Sequence, residues 1–342
     1  MEGGGFYTEH SQTQEAYGQL GFEWLEQAAA EVPAVEGGLP FVIADMGAAG
    51  GGNSLEPMRR ALAARAGKDE PALVVHTDIP SNDFSALFEL VDTSPDTYLA
   101  DGTFALAAGR SFYERLLPAG FMSLGWSSIA VHWMSAAPEP IPEHIYCSFA
   151  RGAVKKAFEE QSATDWTNFL GNRAVELAPG GRMVIVGGAA LEDGSSGAEG
   201  LMDLANGVLR KMVAAREIEQ AEYGRMTIPT WNRTPAEFTE PFGDGGFEGL
   251  ELKRHAARSL PDPYLARYKD DGDLDRYTDS VAGFFRAAFW DSLQAGLDHN
   301  RGRGNTAKVA DHFADRLKDA IRESPEQAAC EWHVVVLDIA RS

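Results

Sequence analysis

The residue types best suited to hold a nucleotide-like cofactor lie together in residues 41–53, FVIADMGAAGGGN. A short apolar run ends in Asp45, and Gly47 and three consecutive glycines follow before a helix is predicted at 55–66. Glycines in a strand-to-helix turn let a ligand approach the backbone closely, because no Cβ obstructs it. The pattern therefore predicts a cofactor loop after the first strand, with a glycine turn that binds nothing as the alternative.

Two cofactor chemistries compete for this loop. A dinucleotide site has the spacing GxGxxG, which places pyrophosphate at the helix N-terminus, and residues 47–50 (GAAG) break that spacing. A carboxylate at Asp45 is unfavourable beside pyrophosphate but suits the sulfonium and α-ammonium groups of S-adenosylmethionine. The loop therefore favours S-adenosylmethionine, and a nicotinamide-dependent oxidoreductase is the more distant alternative.

Asp78 follows the second apolar run, residues 73–77, LVVHT. An acid at the tip of the second strand is expected to accept hydrogen bonds from ribose hydroxyls. An acid after a strand is equally often a solvated helix cap. By itself the residue supports both interpretations.

Six ordered blocks of sequence go beyond these local motifs. They are FYTEHSQTQ at 6–14, IADMGAAGGGNSL at 43–55, TDIPSNDFSALF at 77–88, GRSFYERLLP at 109–118, SSIAVHWMSAAP at 127–138 and FLGNRAVELAPGGRMVIV at 169–186. Through these blocks the chain resembles the SABATH family of small-molecule carboxyl methyltransferases, well over roughly the first 190 residues and weakly beyond. The likeness is closest to a bacterial branch whose members methylate fatty acids.

The resemblance implies a role for each residue that matches a family motif. Gln14 and Trp133 match the pair that grips the substrate carboxylate, which makes them the implied catalytic residues. S-adenosylmethionine, which is released as S-adenosylhomocysteine, would be held by Tyr7, Ser11, Asp45, Gly47, Asn53, Asp78, Ile79, Ser111, Phe112, Ser127 and Ser128. Family members are often homodimers, and the resemblance implies the same here.

Methyl transfer to a carboxylate needs little acid–base help. A carboxylic acid has a pKa of about 4–5, so it is already ionised at neutral pH. Gln14 and Trp133 offer an amide N–H and an indole N–H. Two neutral donors reduce the nucleophilicity of the carboxylate less than an ion pair with Arg would. We therefore expect neither a metal nor a general base, and we interpret His132, beside Trp133, as structural.

The substrate pocket is expected to combine this carboxylate pair with apolar side chains. These are Ile129, Met134, Met202, Met226, Ile228 and Trp231. Methionine and branched aliphatic side chains form an adaptable surface that excludes water. We therefore expect a medium-chain fatty acid as the substrate. An aromatic acid of the salicylate or benzoate type, or a ring nitrogen, is the alternative acceptor.

The elements that must position these residues alternate along the chain. Strands are predicted at 39–45, 73–77, 98–100, 121–127, 182–186, 249–253 and 332–339. Helices are predicted at 55–66, 152–176, 199–219, 278–298 and 306–322, with a Pro- and Gly-broken loop at 225–247. This rhythm is typical of a parallel sheet with helices on both faces. With the resemblance, it predicts an α/β, Rossmann-like class I methyltransferase fold, a mostly parallel seven-stranded sheet with an α-helical cap.

We expect one methyltransferase domain over residues 1–342, because no Gly/Ser or Pro linker separates large blocks of sequence. Its expected parts are an N-terminal segment at 1–38 that closes over the site, a cofactor-binding core at 39–190, a mainly helical cap insertion at 191–275, and C-terminal helices with the final strand at 276–342. The first part carries Gln14 and the second carries the glycine loop, so the two must meet at the site.

Composition excludes several classes of partner. The 342 residues hold 30 Lys and Arg against 51 Asp and Glu, a formal charge of −21, which disfavours nucleic acid and a polybasic membrane anchor. No apolar run approaches the ~18–20 residues of a membrane span, and the N-terminus lacks a signal-type sequence. Two distant cysteines, Cys147 and Cys330, favour a reducing compartment, and we expect a cytoplasmic protein whose partner is a small carboxylic acid.

Overall fold

The computed structural model describes residues 12–35, 37–65, 70–243 and 245–342. Its centre is a seven-stranded sheet in the order β3-β2-β1-β4-β5-β7-β6. The strands are β1 (Phe41–Met46), β2 (Ala72–Asp78), β3 (Thr103–Gly109), β4 (Met122–Ser128), β5 (Leu177–Ala189), β6 (Leu250–Ser259) and β7 (His333–Arg341). β1 to β5 pair in parallel, and β7 runs antiparallel to β5 and β6. The predicted Rossmann-like methyltransferase fold is confirmed.

The helices surround this sheet. They are α1 (Gln12–Gly18), α2 (Phe22–Glu31), α3 (Leu55–Ala63), α4 (Phe84–Thr93), α5 (Gly152–Glu176), α6 (Glu199–Ala214), α7 (Gln220–Tyr223), α8 (Pro235–Thr239), α9 (Pro263–Asp271), α10 (Leu274–Gln294) and α11 (Arg303–Glu323). None of the described helices is both long enough and apolar enough to cross a lipid bilayer.

Alternate side chains of the central strands pack into different layers, because successive residues of a strand point to opposite faces. In β5, Val184 and Val186 join the layer that contains α2, α3 and α4. Met183 and Ile185 join the layer that contains α5 and α8. Both faces of the sheet are therefore covered, which explains why every residue of β1 is buried.

A third apolar cluster lies outside the sheet and is built mainly from helices. Buried side chains of α6, α10 and α11 form it together with residues 141–150. Phe313 of α11 contacts Phe285 and Trp290 of α10, with ring centroids 5.4 and 5.1 Å apart. This helical layer brings α10 to the site described below.

Two differences from the predicted elements have physical causes. The third strand lies at 103–109 rather than 98–100, because the Tyr98 ring is buried as a side-chain partner of His76 and the strand begins only after Gly102. The strand predicted at 249–253 continues to Ser259 as β6. It pairs along its length with β7, so the segment 191–275 supplies an edge strand of the sheet as well as helices.

The chain order of the strands reverses beside β1, which lies between β2 and β4. In open parallel sheets a ligand crevice forms at the carboxyl ends of the strands on either side of such a reversal. The loops after Met46, Asp78 and Ser128 meet there.

Candidate active site

The glycine loop is fastened to the end of β2. The N–H groups of Gly47 and Ala48 both donate to the carbonyl of Thr77, at 2.9 and 3.1 Å. Gly47 has φ +85°, and a Cβ there would lie 2.5 Å from the Cβ of Ala130. Only glycine combines this backbone conformation with the absence of a Cβ. The chain can therefore leave β1 close to the loop that follows β4.

Asp78 connects the same loop to β2 through both carboxylate oxygens. Its Oδ2 accepts from the N–H of Ala49 and its Oδ1 from the N–H of Ile79, each at 2.8 Å. Asn82 donates to the carbonyl of Ala49 at 2.8 Å, which holds the loop from the other side. Burial is the largest cause that raises the pKa of Asp78, and the charge of Asp45 adds to it. The remaining lone pairs of Asp78 face the larger of two cavities and can accept hydroxyl donors.

Asp45 is tied to two side chains that the sequence analysis did not identify. Its Oδ2 lies 2.7 Å from Nδ1 of His76, and Nε2 of His76 lies 2.7 Å from the hydroxyl of Tyr98. All three side chains are buried. A histidine within an otherwise apolar buried strand was the available signal, because a buried imidazole requires a partner.

Two cavities meet at the carboxyl edge of the sheet. The smaller, about 40 Å³, is bordered by the glycine loop and Asp45. The larger, about 550 Å³, extends from Asp78 to α10. Four residues border both: Gln14, Gly47, Ala49 and Ile129. A ligand held by the glycine loop can therefore reach a second ligand in the larger cavity.

Gln14 is placed at this junction by the packing of α1. A Cβ on Gly18 would lie 2.8 Å from Oγ of Ser128, so the glycine lets α1 lie directly against the end of β4. The hydroxyl of Tyr17 donates to the carbonyl of Leu260 at 2.8 Å and fixes the helix from its other side. Oε1 of Gln14 is buried and has no hydrogen-bond partner among the described residues.

Trp133 lies on a segment that buried side chains hold in place. The Tyr113 hydroxyl donates to the carbonyl of Trp133 at 2.5 Å, and Nη1 of Arg233 donates to the carbonyl of Val131 at 2.7 Å. The Trp133 ring lies 5.9 Å from that of Phe289 on α10. Within the part of the chain that the structure describes, its indole N–H makes no hydrogen bond, so it is available to a ligand in the larger cavity.

His132 adds a neutral polar group to the wall of the larger cavity. Burial, followed by the positive charge of Arg233, lowers the pKa of His132 to about 4. Its Nδ1 is buried, and no residue that the structure describes forms a hydrogen bond with it. Asn232 borders the same cavity and donates to the Tyr146 hydroxyl at 2.7 Å. At neutral pH the imidazole can exchange hydrogen bonds with a ligand but carries no charge.

The rest of the larger cavity is mainly apolar. Its apolar lining includes Met134, Pro229, Phe284, Ala288, Phe289 and Trp332. Phe284 lies between Phe289 and Trp332, with centroid distances of 5.8 and 6.3 Å, so aromatic rings continue from Trp133 along α10. Among the lining residues of the described chain there is no Lys and no Arg.

The structure brings most of the predicted site residues to these two cavities. Those that border one or both are Gln14, Asp45, Gly47, Asn53, Asp78, Ile79, Ser111, Phe112, Ser128, Ile129, Trp133 and Met134. Ser127 does not, because its Oγ is fully buried and donates to the carbonyl of Met46 at 2.9 Å. Tyr7 and Ser11 lie outside the described residues.

Four residues predicted to line the substrate pocket lie elsewhere. Met202, Met226 and Ile228 are buried in the helical cluster, where α6 and residues 226–228 pack against α10 and α11. Trp231 packs against the same cluster, and its indole N–H donates to Oε1 of Glu237 at 3.0 Å. The apolar wall comes instead from α10, which the sequence analysis placed in the C-terminal helices without a role in the site.

These residues fit S-adenosylmethionine on three observations. The glycine loop borders the smaller cavity along residues 47–54, where a ligand can approach its backbone. The second oxygen of Asp45 makes no hydrogen bond within the described ranges and borders the smaller cavity. Ile79, half of whose surface is exposed, offers a flat apolar contact beside Asp78.

Comparison with known proteins agrees with this geometry. A family model described as "SAM dependent carboxyl methyltransferase" matches residues 2–341. The chain is 30% identical over 374 residues to "O-methyltransferase acrG" of Aspergillus aculeatus, covering 98% of this chain and 96% of that protein. It is 29% identical over 278 residues to "Probable 7-methylxanthine methyltransferase 3" of Theobroma cacao, covering 70% and 76%.

A solved structure shares the fold over the full length. "Loganic acid methyltransferase with SAH" superposes with a TM-score of 0.78 at 21% identity, covering 100% of this chain and 98% of that one. The family match also decides between the cofactor chemistries left open by the glycine loop, in favour of S-adenosylmethionine. The chain belongs to the family of S-adenosylmethionine-dependent carboxyl methyltransferases.

Proposed function

We propose that this protein forms the methyl ester of a medium-chain fatty acid. The observation that carries the proposal is the make-up of the larger cavity. Gln14 at its junction with the cofactor loop and Trp133 in its wall offer neutral N–H donors. Phe284, Ala288 and Phe289 supply an apolar wall. An alkyl chain can bury itself along such a wall with its carboxylate at the donors.

The reaction is a displacement at carbon. When bound, S-adenosylmethionine supplies the methyl group on a sulfonium sulfur and leaves as S-adenosylhomocysteine. Gln14 and Trp133 hold the acid so that one carboxylate oxygen points along the line of transfer, which is the main requirement for an acceptor that is already ionised. Asp45 in the smaller cavity, with Asp78 and Ile79 at the border of the larger one, would hold the donor.

The lack of a Lys or Arg among the described lining residues favours the transfer step. Negative charge on the carboxylate and positive charge on the sulfonium cancel as the bond forms, so a cation beside the carboxylate would stabilise the reactants more than the transition state. Neither Gln14 nor Trp133 carries charge, and the lowered pKa of His132 keeps that imidazole neutral as well. His132 thus serves as a hydrogen-bonding wall residue rather than as a base.

A ring substrate is the second candidate, because one observation favours it. His132, whose Nδ1 has no hydrogen-bond partner in the described part of the chain, and the amide of Asn232 place polar groups in the wall of the cavity. An aromatic acid with a second polar substituent, or a heterocycle with a ring nitrogen, can satisfy them. A plain alkyl chain cannot.

Relative rates on matched acids test the proposal. We expect kcat/KM to rise about fourfold per methylene along a series of straight-chain acids until the cavity is filled, since each buried CH₂ is worth about 0.8 kcal/mol. Benzoate, salicylate and 7-methylxanthine should react more slowly than the best fatty acid. Equal or faster turnover of any of these three would overturn the aliphatic assignment and leave the ring substrate in its place.

A pair of variants tests the position of the alkyl chain. Ala288→Leu narrows the larger cavity and should move the preferred acid to a shorter chain. Met202→Leu changes the buried helical cluster at nearly constant volume and should leave the preference unchanged. A shift in chain-length preference with Met202→Leu alone would mean that the acid lies elsewhere.

A further inference from the structure

A buried hydrogen-bonded chain of three side chains lies beneath the cofactor loop. It runs from Tyr98 through His76 to Asp45, with both links at 2.7 Å. His76 is fully buried, and Asp45 and Tyr98 are 3% and 4% exposed. Placing an imidazole in the middle of an apolar strand is unfavourable unless both ring nitrogens are paired. The chain pairs both nitrogens, which fixes the ring in one orientation.

The partners decide which nitrogen carries the proton. Burial raises the pKa of the Tyr98 hydroxyl, so it keeps its proton. Among the described residues, Nε2 of His76 is the one acceptor within reach of that hydroxyl. When the Tyr98 hydroxyl donates to Nε2, the ring proton lies on Nδ1, which donates it to Oδ2 of Asp45.

The consequence concerns the other oxygen of Asp45. With Oδ2 occupied by His76, the carboxylate cannot rotate freely, and Oδ1 has no hydrogen-bond partner within the described ranges. Asp45 borders the small cavity enclosed by the glycine loop. The free oxygen is thereby held ready to accept a hydrogen bond from a cation in that cavity.

We propose that His76, supported by Tyr98, is a positioning residue that holds Asp45 to accept a hydrogen bond from the α-ammonium group of S-adenosylmethionine. Of the two cations in the cofactor, only the ammonium has N–H donors, so the orientation of Asp45 matters to it far more than to the sulfonium. The inference rests on the cofactor of the family and not on which acid is methylated.

Three ligands separate this role from a purely structural one. S-adenosylmethionine and S-adenosylhomocysteine both carry the α-ammonium group, and methylthioadenosine lacks it. In His76→Phe, the loss of a donor to a charged group should weaken binding of the first two roughly tenfold to a hundredfold in calorimetry. Binding of methylthioadenosine should stay within about twofold. Equal weakening of all three ligands, or weakening of S-adenosylmethionine alone, would overturn the proposal.

Graded variants keep the test valid if His76→Phe folds poorly. His76→Asn keeps an N–H donor near the position of Nδ1 and should recover most of the affinity for S-adenosylhomocysteine. Tyr98→Phe removes one hydroxyl and should weaken that ligand by about threefold, again sparing methylthioadenosine. Failure of His76→Asn to bind better than His76→Phe, with both folded by circular dichroism, would contradict the donor role.

A matched control removes a comparable hydrogen bond far from the site. The Tyr277 hydroxyl donates to the carbonyl of Pro325 at 2.9 Å in the helical layer. Tyr277→Phe should leave all three affinities unchanged. A loss equal to that of Tyr98→Phe would show that the effect comes from general destabilisation. Because none of these measurements uses the acid, they remain interpretable whatever the substrate is.

Discussion

Replacing Trp133 by phenylalanine tests the carboxylate pair most directly. The change removes one indole N–H and keeps an aromatic ring against Phe289, whose centroid lies 5.9 Å away. A hydrogen bond to a charged group is worth about 1.5–3 kcal/mol, so KM for the acid should rise roughly 10- to 150-fold. Because the carboxylate keeps only part of its charge in the transition state, kcat/KM should also fall, by a smaller factor.

The assay is initial rates at saturating S-adenosylmethionine with the acid varied, together with calorimetric binding of S-adenosylhomocysteine. Affinity for S-adenosylhomocysteine should not change in Trp133→Phe. Trp231→Phe is the matched control, since that indole donates to Glu237 at 3.0 Å and does not border the cavity. The control should lose about 1 kcal/mol of stability and keep both kinetic constants.

Two results would refute the reasoning about Trp133. Unchanged kcat/KM in Trp133→Phe would show that the indole N–H does not meet the substrate. A loss of similar size in Trp231→Phe would show that the residues of the helical cluster, and not the cavity wall, contact the acid.

Two further predictions concern stability. Burial lowers the pKa of His144 from 6.5 to about 4. As the pH falls from 7 towards 4, this imidazole is protonated in the unfolded chain but not in the folded one. The free energy of unfolding therefore decreases over that range. Between about pH 7 and pH 5, the free energy of unfolding measured in urea should decrease by about 2 kcal/mol more in the wild type than in His144→Gln. Equal decreases in the two proteins would contradict the lowered pKa of His144. Gly47→Ala should lower the melting temperature more than Gly102→Ala. Both glycines have positive φ (+85° and +80°), but of the two added Cβ atoms only the one at position 47 would meet another atom, 2.5 Å away. Comparable decreases in melting temperature would mean that the loop relaxes around the new Cβ.

The elements of the sheet were largely predictable because their buried residues form continuous apolar runs. β1, β2 and β7 stand out for that reason, since buried parallel and central strands are apolar on both faces. β3 does not, because it is an edge strand of small residues whose side chains Phe104 and Leu106 are 58% and 51% exposed. The position of β3 is set by its pairing with β2, and this pairing cannot be predicted from the local sequence.

The cofactor side of the site was more predictable than the acid side. Asp45 and Asp78 lie in the last two residues of their strands and Gly47 follows β1, so a local motif places them at one edge of the sheet. The acid pocket depends on how α10 packs beside Trp133, and that contact joins residues far apart in the chain. Met202 was therefore assigned to the pocket from its residue type, although it lies in the core between helices.

The placement of charge around the site connects the fold to the proposed reaction. Asp45 borders the smaller cavity and Asp78 the larger one, and both lie at the ends of adjacent strands, where they can stabilise a cation. The described lining of the larger cavity holds no Lys or Arg. In the proposed reaction the acid is therefore held by the neutral donors of Gln14 and Trp133 rather than by a cation. The protein can thus orient an anion beside a methyl cation donor without neutralising the charge that drives their reaction.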